Sequence, residues 1–211
     1  MNGPTDEAPI LWYFADPMCS WCWGFSPVVE ALRASYRDRL RIALVLGGLR
    51  PGETVPLTDG ARAEILHHWR AVHARTGQPF RFEGALPPGF VYDTEPAARA
   101  VVALGGLDPA LTFRALTSIQ AAFYAEGRDV TQTDVLADLA ADLGGPRATF
   151  LAAFDSEPAR ERTRAHFAHA RRAGVHGFPA LILQLGTRLT SVAAGCQPLD
   201  TVKATLDACL A

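Results

Sequence analysis

No apolar run in this chain is long enough to cross a membrane. The first one, Ile10 to Ala15, stops at Asp16-Pro17, where a helical span needs about twenty residues. No basic segment precedes it either. Met1 to Pro9 is polar and slightly acidic, so the chain is expected to be cytoplasmic, with no membrane partner. An excess of one charge is also missing: twenty Lys+Arg stand against twenty-two Asp+Glu, a net charge of −2. The basic residues, almost all arginine, alternate with acids along helical stretches. That is the pattern of a solvated, ion-paired surface, and it leaves no basic stripe for nucleic acid. Cysteine is scarce, with four in 211 residues. In a cytoplasmic chain so few thiols point to catalysis or metal binding rather than to a disulfide framework. Internal repeats and low-complexity segments are absent. A composition of 49% hydrophobic and 20% charged residues suits one globular domain with a sizeable core, or a small domain carrying an insertion.

Patterning along the chain divides it into three stretches. Ile10 to Ala15 reads as a strand buried on both faces, and Ser20 to Arg37 as a helix with Val28, Val29, Leu32 and Tyr36 on one side. Pro27 inside that helix predicts a kink or break. Arg41 to Leu46 is a second buried strand, closed by Gly47-Gly48, and the three together form a βαβ unit. From Asp59 to Gly174 helix signals follow one another. Ala61 to Thr76 is the first, with Trp69 in the core. Thr94 and Pro96 open a second that Gly105-Gly106 closes, and Asp108-Pro109 begin a third that ends at Gly127. Thr133 to Leu143, a short helix from Pro146, and Glu157 to Ala173 complete the series. Strand character returns at Ala180 to Leu185; with Gly186-Thr187 and Arg188 to Ala193 it makes a hairpin, and a last helix follows Gln197-Pro198. Leu49 to Gly60 and Gln78 to Asp93 are the least structured parts.

The chemistry concentrates in Cys19-Ser20-Trp21-Cys22, between the first strand and the first helix. Two thiols at this spacing can close a disulfide across one helical turn. The first lies where unpaired N–H groups and the helix dipole favour a thiolate, the requirement for thiol–disulfide exchange. A CxxC is also half of a zinc site, but Cys196 and Cys209 offer no second pair of that spacing. His166 and His169 read as helix-surface histidines, so no metal is expected. Cys209 reads as a small buried hydrophobe and Cys196 as a loop thiol. Trp12 and Trp23 read as core, and Trp21, inside the motif, as part of a substrate-facing rim. Asp16 is either a proton acceptor for the dithiol or simply the end of its strand. Far along the chain, Gly177-Phe178-Pro179 precedes the Ala180 strand, where a cis proline facing the dithiol fits the order of elements.

With these residues in place the chain resembles the DsbA-like branch of the thioredoxin superfamily. The resemblance rests on Tyr13 to Gly24 and on Gly177 to Ala180. Gly47 to Gly52, Thr76 to Phe80 and Tyr124 to Asp129 are similar to bacterial, cytoplasmic members labelled predicted protein-disulfide isomerases. It implies an α/β thioredoxin fold (βαβ…αββα) with a large all-helical insertion. Residues 1–57 would form the N-terminal half with the CxxC, 58–156 the inserted helical subdomain, and 157–211 the C-terminal half with the cis-proline. It further implies Cys19 as the exposed nucleophile and Cys22 as the buried resolving thiol, with Pro179, Phe178, Ser20 and Trp21 binding substrate. Periplasmic DsbA has a proline and a histidine between its cysteines; Ser20-Trp21 here imply a less oxidising couple. His176 either supplies part of the missing positive charge or is a plain loop histidine.

The expected activity is that of a thiol–disulfide oxidoreductase or isomerase working through a mixed disulfide. Its expected substrates are disulfide-containing proteins or small thiols, recycled by a cytosolic reductant such as thioredoxin or glutathione. No resident cofactor is expected beyond glutathione as a co-substrate. The alternative is a glutathione-dependent isomerase or transferase of the kappa or chromene-carboxylate isomerase type on the same fold. Those enzymes carry serine in place of the first cysteine, against Cys19 here.

Overall fold

The computed structural model describes residues 8–211; Met1 to Glu7, most of the polar N-terminal segment, lie outside the described part. Its elements are β1 (Ile10–Ala15), α1 (Ser20–Tyr36), β2 (Arg41–Leu46), α2 (Asp59–Thr76), α3 (Glu95–Leu107) and α4 (Leu111–Tyr124), followed by α5 (Thr133–Asp142), α6 (Arg147–Phe154), α7 (Glu157–Arg172), β3 (Ala180–Leu185), β4 (Arg188–Ala194) and α8 (Leu199–Leu210). The strands form one sheet in the order β2-β1-β3-β4. β1 runs parallel to β2 and antiparallel to β3, and β3 pairs antiparallel with β4. This is an α/β thioredoxin fold interrupted by helices.

The continuous apolar run of β1 follows from its central place, since a strand covered on both faces needs no polar alternation. Leu11, Tyr13 and Ala15 join the main core with Leu181, Leu183 and the apolar face of α1. Phe14 points the other way, into a smaller cluster with Val45, Ala170 and Ala180 under α7. The helices α2 to α6 bury Trp69, Leu116, Ile119, Phe123, Tyr124 and Phe150, so the inserted stretch extends the same core rather than hanging from it.

Four local expectations change in the folded chain. Pro27 neither breaks nor ends α1, which continues to Tyr36. Proline removes the N–H that would bond the Trp23 carbonyl, and two other donors replace it: Ser26 Oγ at 2.8 Å and Gln78 Nε2 at 3.0 Å. Gly105-Gly106 do not close α3, which runs through them to Leu107. They are there for close approach, because a Cβ on Gly105 would lie 2.6 Å from Thr112 Oγ1 on α4. Asp108-Pro109 do not begin α4; they make a turn in which the Asp108 carboxylate accepts from Ala110 N at 2.9 Å, and the helix starts at Leu111. Finally, His166 and His169 are half-buried against the sheet rather than on the surface. His166 Nδ1 accepts from Leu46 N at 3.3 Å, capping the edge of β2. The His169 ring stands edge-on to Trp12 and Phe14, with centroids 5.2 and 6.0 Å away.

Candidate active site

Asp16 and Pro17 end β1, and the chain turns directly into α1. Cys19 N donates to Asp16 O at 3.1 Å, and Trp23 N to Cys19 O at 3.1 Å, which places Cys19 at the N-cap. Its backbone is extended (φ −96°, ψ 115°) and its side chain makes no cap bond, so the sulfur is left for other contacts. Cys22, one turn further, is completely buried. Both cysteines are free thiols. Burial and the neighbouring Cys19 sulfur push the Cys22 thiol well above the usual range. Trp23 is core, its indole donating to Pro79 O at 3.0 Å and its ring stacked on Tyr124.

The second half of the fold brings its own residues to this point. The Phe178–Pro179 peptide is cis, and Pro179 O accepts from Gly195 N at 2.8 Å. Phe178 O is turned toward the dithiol and accepts from the Cys19 thiol at 3.6 Å. The Phe178 ring lies against Gly47; a Cβ there would sit 2.0 Å from its Cζ, so this close approach requires glycine. Cys19, expected from the resemblance to be exposed, is only 6% exposed, because Phe178 and the inserted half close over it. Cys19 lines a 220 Å³ cavity whose walls include Ser20, Trp21, Leu49, Arg50, Ile65, His68, Tyr92 and Phe178. Ser20 and Trp21 are half-buried on its rim.

Asp16, three residues before Cys19, is fully buried. Its two carboxylate oxygens accept from Met18 N at 2.9 Å and Leu49 N at 2.8 Å, tying the dithiol loop to the loop after β2. Burial pushes its carboxyl up to about 6, against the pull of these N–H donors. Asp16 therefore does more than end a strand. Tyr92 Oη donates to Met18 O at 2.7 Å, fixing the same loop from the inserted half. His176 is exposed and lines a second, 430 Å³ hollow with Val175, Ile182 and Ala193, which touches the Cys19 cavity only at Phe178 and has neither Cys19 nor Cys22 in its walls. Cys196 is half-buried beside Gly195; burial raises its thiol, and Arg75 opposes the rise.

Sequence reasoning missed Arg50, His68, Tyr92 and Arg75. Arg50 and Tyr92 lie in the two irregular stretches, where no periodicity marks a residue as inward. Arg50 stands over the Tyr92 ring and Arg75 over the Trp21 ring, with centroid distances of 5.5 and 6.0 Å. These contacts hold positive charge at the cavity rim.

A sheet in this order, a dithiol at the start of α1, a cis-proline facing it and helices between the halves define a thioredoxin-fold protein with a helical insertion. The chain belongs to the DSBA-like thioredoxin domain family, whose model matches residues 10–207. A candidate protein disulfide isomerase from Nitrosomonas europaea is similar over 97% of this chain and 98% of its own, with 46% identity and a TM-score of 0.92. Cytosolic disulfide reductase DsbM from Pseudomonas aeruginosa is 34% identical with a TM-score of 0.79, over 95% of this chain and 98% of its own; its structure is also known with GSH. The ClpXP adapter protein SpxH of Halalkalibacterium halodurans is 25% identical over 140 residues, 64% of this chain. The match takes in 45% of that relative, so the chain spans under half of its length.

Proposed function

We propose that the protein is a thiol–disulfide oxidoreductase of the bacterial cytoplasm that works through the Cys19–Cys22 dithiol. The observation that carries this reading is the meeting of the two halves: Cys19 Sγ at the start of α1 against Phe178 O beside the cis-proline, with Cys22 buried one turn behind. The Cys19 thiolate attacks a substrate disulfide and forms a mixed disulfide. Cys22 then attacks Cys19 and releases the reduced substrate. Phe178 and Pro179 present backbone to the incoming chain, while Ser20 and Trp21 contact its side groups. Oxidation runs the same steps in reverse.

Disulfide-bonded proteins and small thiol disulfides are the proposed substrates, and thioredoxin or glutathione the proposed recycling partner. The arginines at the cavity rim support an anionic small thiol, and the cytosolic relative with GSH supports the same chemistry. No resident cofactor enters the scheme. Equilibration of the dithiol in glutathione buffers, followed by thiol counting, tests it. The expected result is one two-electron transition that disappears in Cys19→Ser. Retention of disulfide reductase activity in Cys19→Ser would sink the proposal. Glutathione-dependent isomerisation that survives Cys22→Ser would favour the glutathione-isomerase alternative instead.

A further inference from the structure

Tyr13 occupies the middle of β1 and is 1% exposed. Its partners across the sheet, Leu44 and Leu181, are apolar, and its ring packs on Phe25 at 6.2 Å. The hydroxyl is buried and, among the described residues, finds no hydrogen-bond partner. Tyr124 has an equally buried hydroxyl, but that one stands within reach of the Tyr92 hydroxyl. Tyr13 has no such neighbour. The ionisable groups around it are sulfurs: first Cys22, buried in the same core cluster and not hydrogen-bonded to it in the resting state, then Cys19 and Cys196. Phenylalanine would fill the same ring space without stranding a polar atom, so the hydroxyl needs a partner that the resting dithiol does not provide. A thiol sulfur is a poor acceptor and a thiolate a good one.

We propose that the Tyr13 hydroxyl is the hydrogen-bond donor that stabilises the Cys22 sulfur as it becomes a thiolate in the resolving step. This rests on the exchange reaction proposed above. In that step Cys22 gives its proton to solvent and its sulfur attacks the Cys19 sulfur. The Cys19–Cys22 bond forms, and the bond from Cys19 to the substrate sulfur breaks. The substrate leaves as a thiolate and takes up one proton. Cys22 becomes the oxidised partner and the substrate sulfur the reduced one. A buried thiol must ionise for this to happen, and the groups facing it are Cys19, Asp16 and Tyr13. The ionised Asp16 carboxylate opposes a second negative charge nearby while the Asp16 backbone favours it; Tyr13 is the neutral side-chain donor, held in place by the sheet. Burial and the neighbouring cysteines also keep its own proton firmly bound, so it donates and does not act as a base. Its contribution exists only when the charge develops, which is the condition for accelerating a step rather than stabilising the resting state.

The test uses the full chain with Cys196→Ser and Cys209→Ser, so that only the dithiol reacts. One equivalent of Ellman's reagent releases one thionitrobenzoate as Cys19 attacks and a second as Cys22 resolves; stopped-flow absorbance separates the two. In Tyr13→Phe the first release is expected to keep its rate. The second is expected to slow about tenfold, with its pH midpoint about one unit higher, as loss of a hydrogen bond to a charged group predicts. Equal second phases and equal midpoints in parent and Tyr13→Phe would overturn the proposal, as would equal slowing of both phases, which reports packing. Absence of a second release in the parent, or its survival in Cys22→Ser, would instead overturn the exchange reaction itself, and the role of Tyr13 with it.

Discussion

Asp16→Asn offers a test of the site's electrostatics that needs no substrate. The carboxyl is buried and held at about 6, against 3.8 for an ordinary aspartate. A raised value in an acid means that the folded chain binds more protons than the unfolded one between those two values. Acid therefore favours folding through this residue, and its contribution to stability falls as pH rises from about 4 to about 6. A difference of roughly two units corresponds to roughly 3 kcal/mol, most of it lost by neutral pH. Asparagine carries no charge and is insensitive to this window. It does present an NH2 group to either Met18 N or Leu49 N, both of which donate to Asp16. That mismatch subtracts a constant of about 1–3 kcal/mol at every pH. The expected outcome is a stability difference that moves by about 2 kcal/mol in favour of Asp16→Asn between pH 4 and pH 7.5, whatever its starting value. Urea unfolding of both proteins at half-unit pH intervals measures it. A difference that stays flat across that range would refute the assignment of a buried, charge-bearing Asp16.

Gly47→Ala places a methyl group where the Phe178 ring now lies. It should cost about 1–3 kcal/mol in unfolding free energy and lower kcat/KM for disulfide reduction at least tenfold by shifting Phe178, as paired denaturation and rate assays would show. Gln78→Ala removes a donor that satisfies the Trp23 carbonyl freed by Pro27; a loss of about 1 kcal/mol is expected by urea titration, with the dithiol reaction unchanged. Cys22→Ser should leave the first attack intact and trap substrates on Cys19 as long-lived mixed disulfides, visible by non-reducing mass spectrometry. Adducts that resolve at the parent's rate would contradict the role of Cys22.

The parts of the structure legible in sequence are those decided by neighbours along the chain. β1, the CxxC at a helix start and the Phe178–Pro179 strand entry all sit in short segments whose residue types and spacing carry the signal. The misread features were decided by residues far away in sequence. Pro27 is accommodated by Gln78, Gly105 is required by Thr112, and His166 and His169 are claimed by the edge and face of a sheet formed earlier in the chain. In sequence Asp16 reads as a proton acceptor or a strand end, but its bridge to Leu49 depends on the loop after β2. Nothing in the spacing of Leu49 announces that contact.

The same long-range dependence explains why the inserted helices belong to the site rather than beside it. Ile65 and His68 on α2, with Tyr92 on the loop before α3, wall the Cys19 cavity, and Tyr92 holds Met18 by its carbonyl. Cys19 is thereby 6% exposed while remaining at the N-cap. In the proposed exchange, a substrate disulfide reaches Cys19 by entering a space bounded on one side by the thioredoxin half and on the other by the insertion. Selection among disulfides then rests on what fits between Trp21, Leu49 and His68, and on the charge that Arg50 and Arg75 present at the rim. On the proposed reaction, the sheet brings the reacting groups together and the helices decide which molecules reach them.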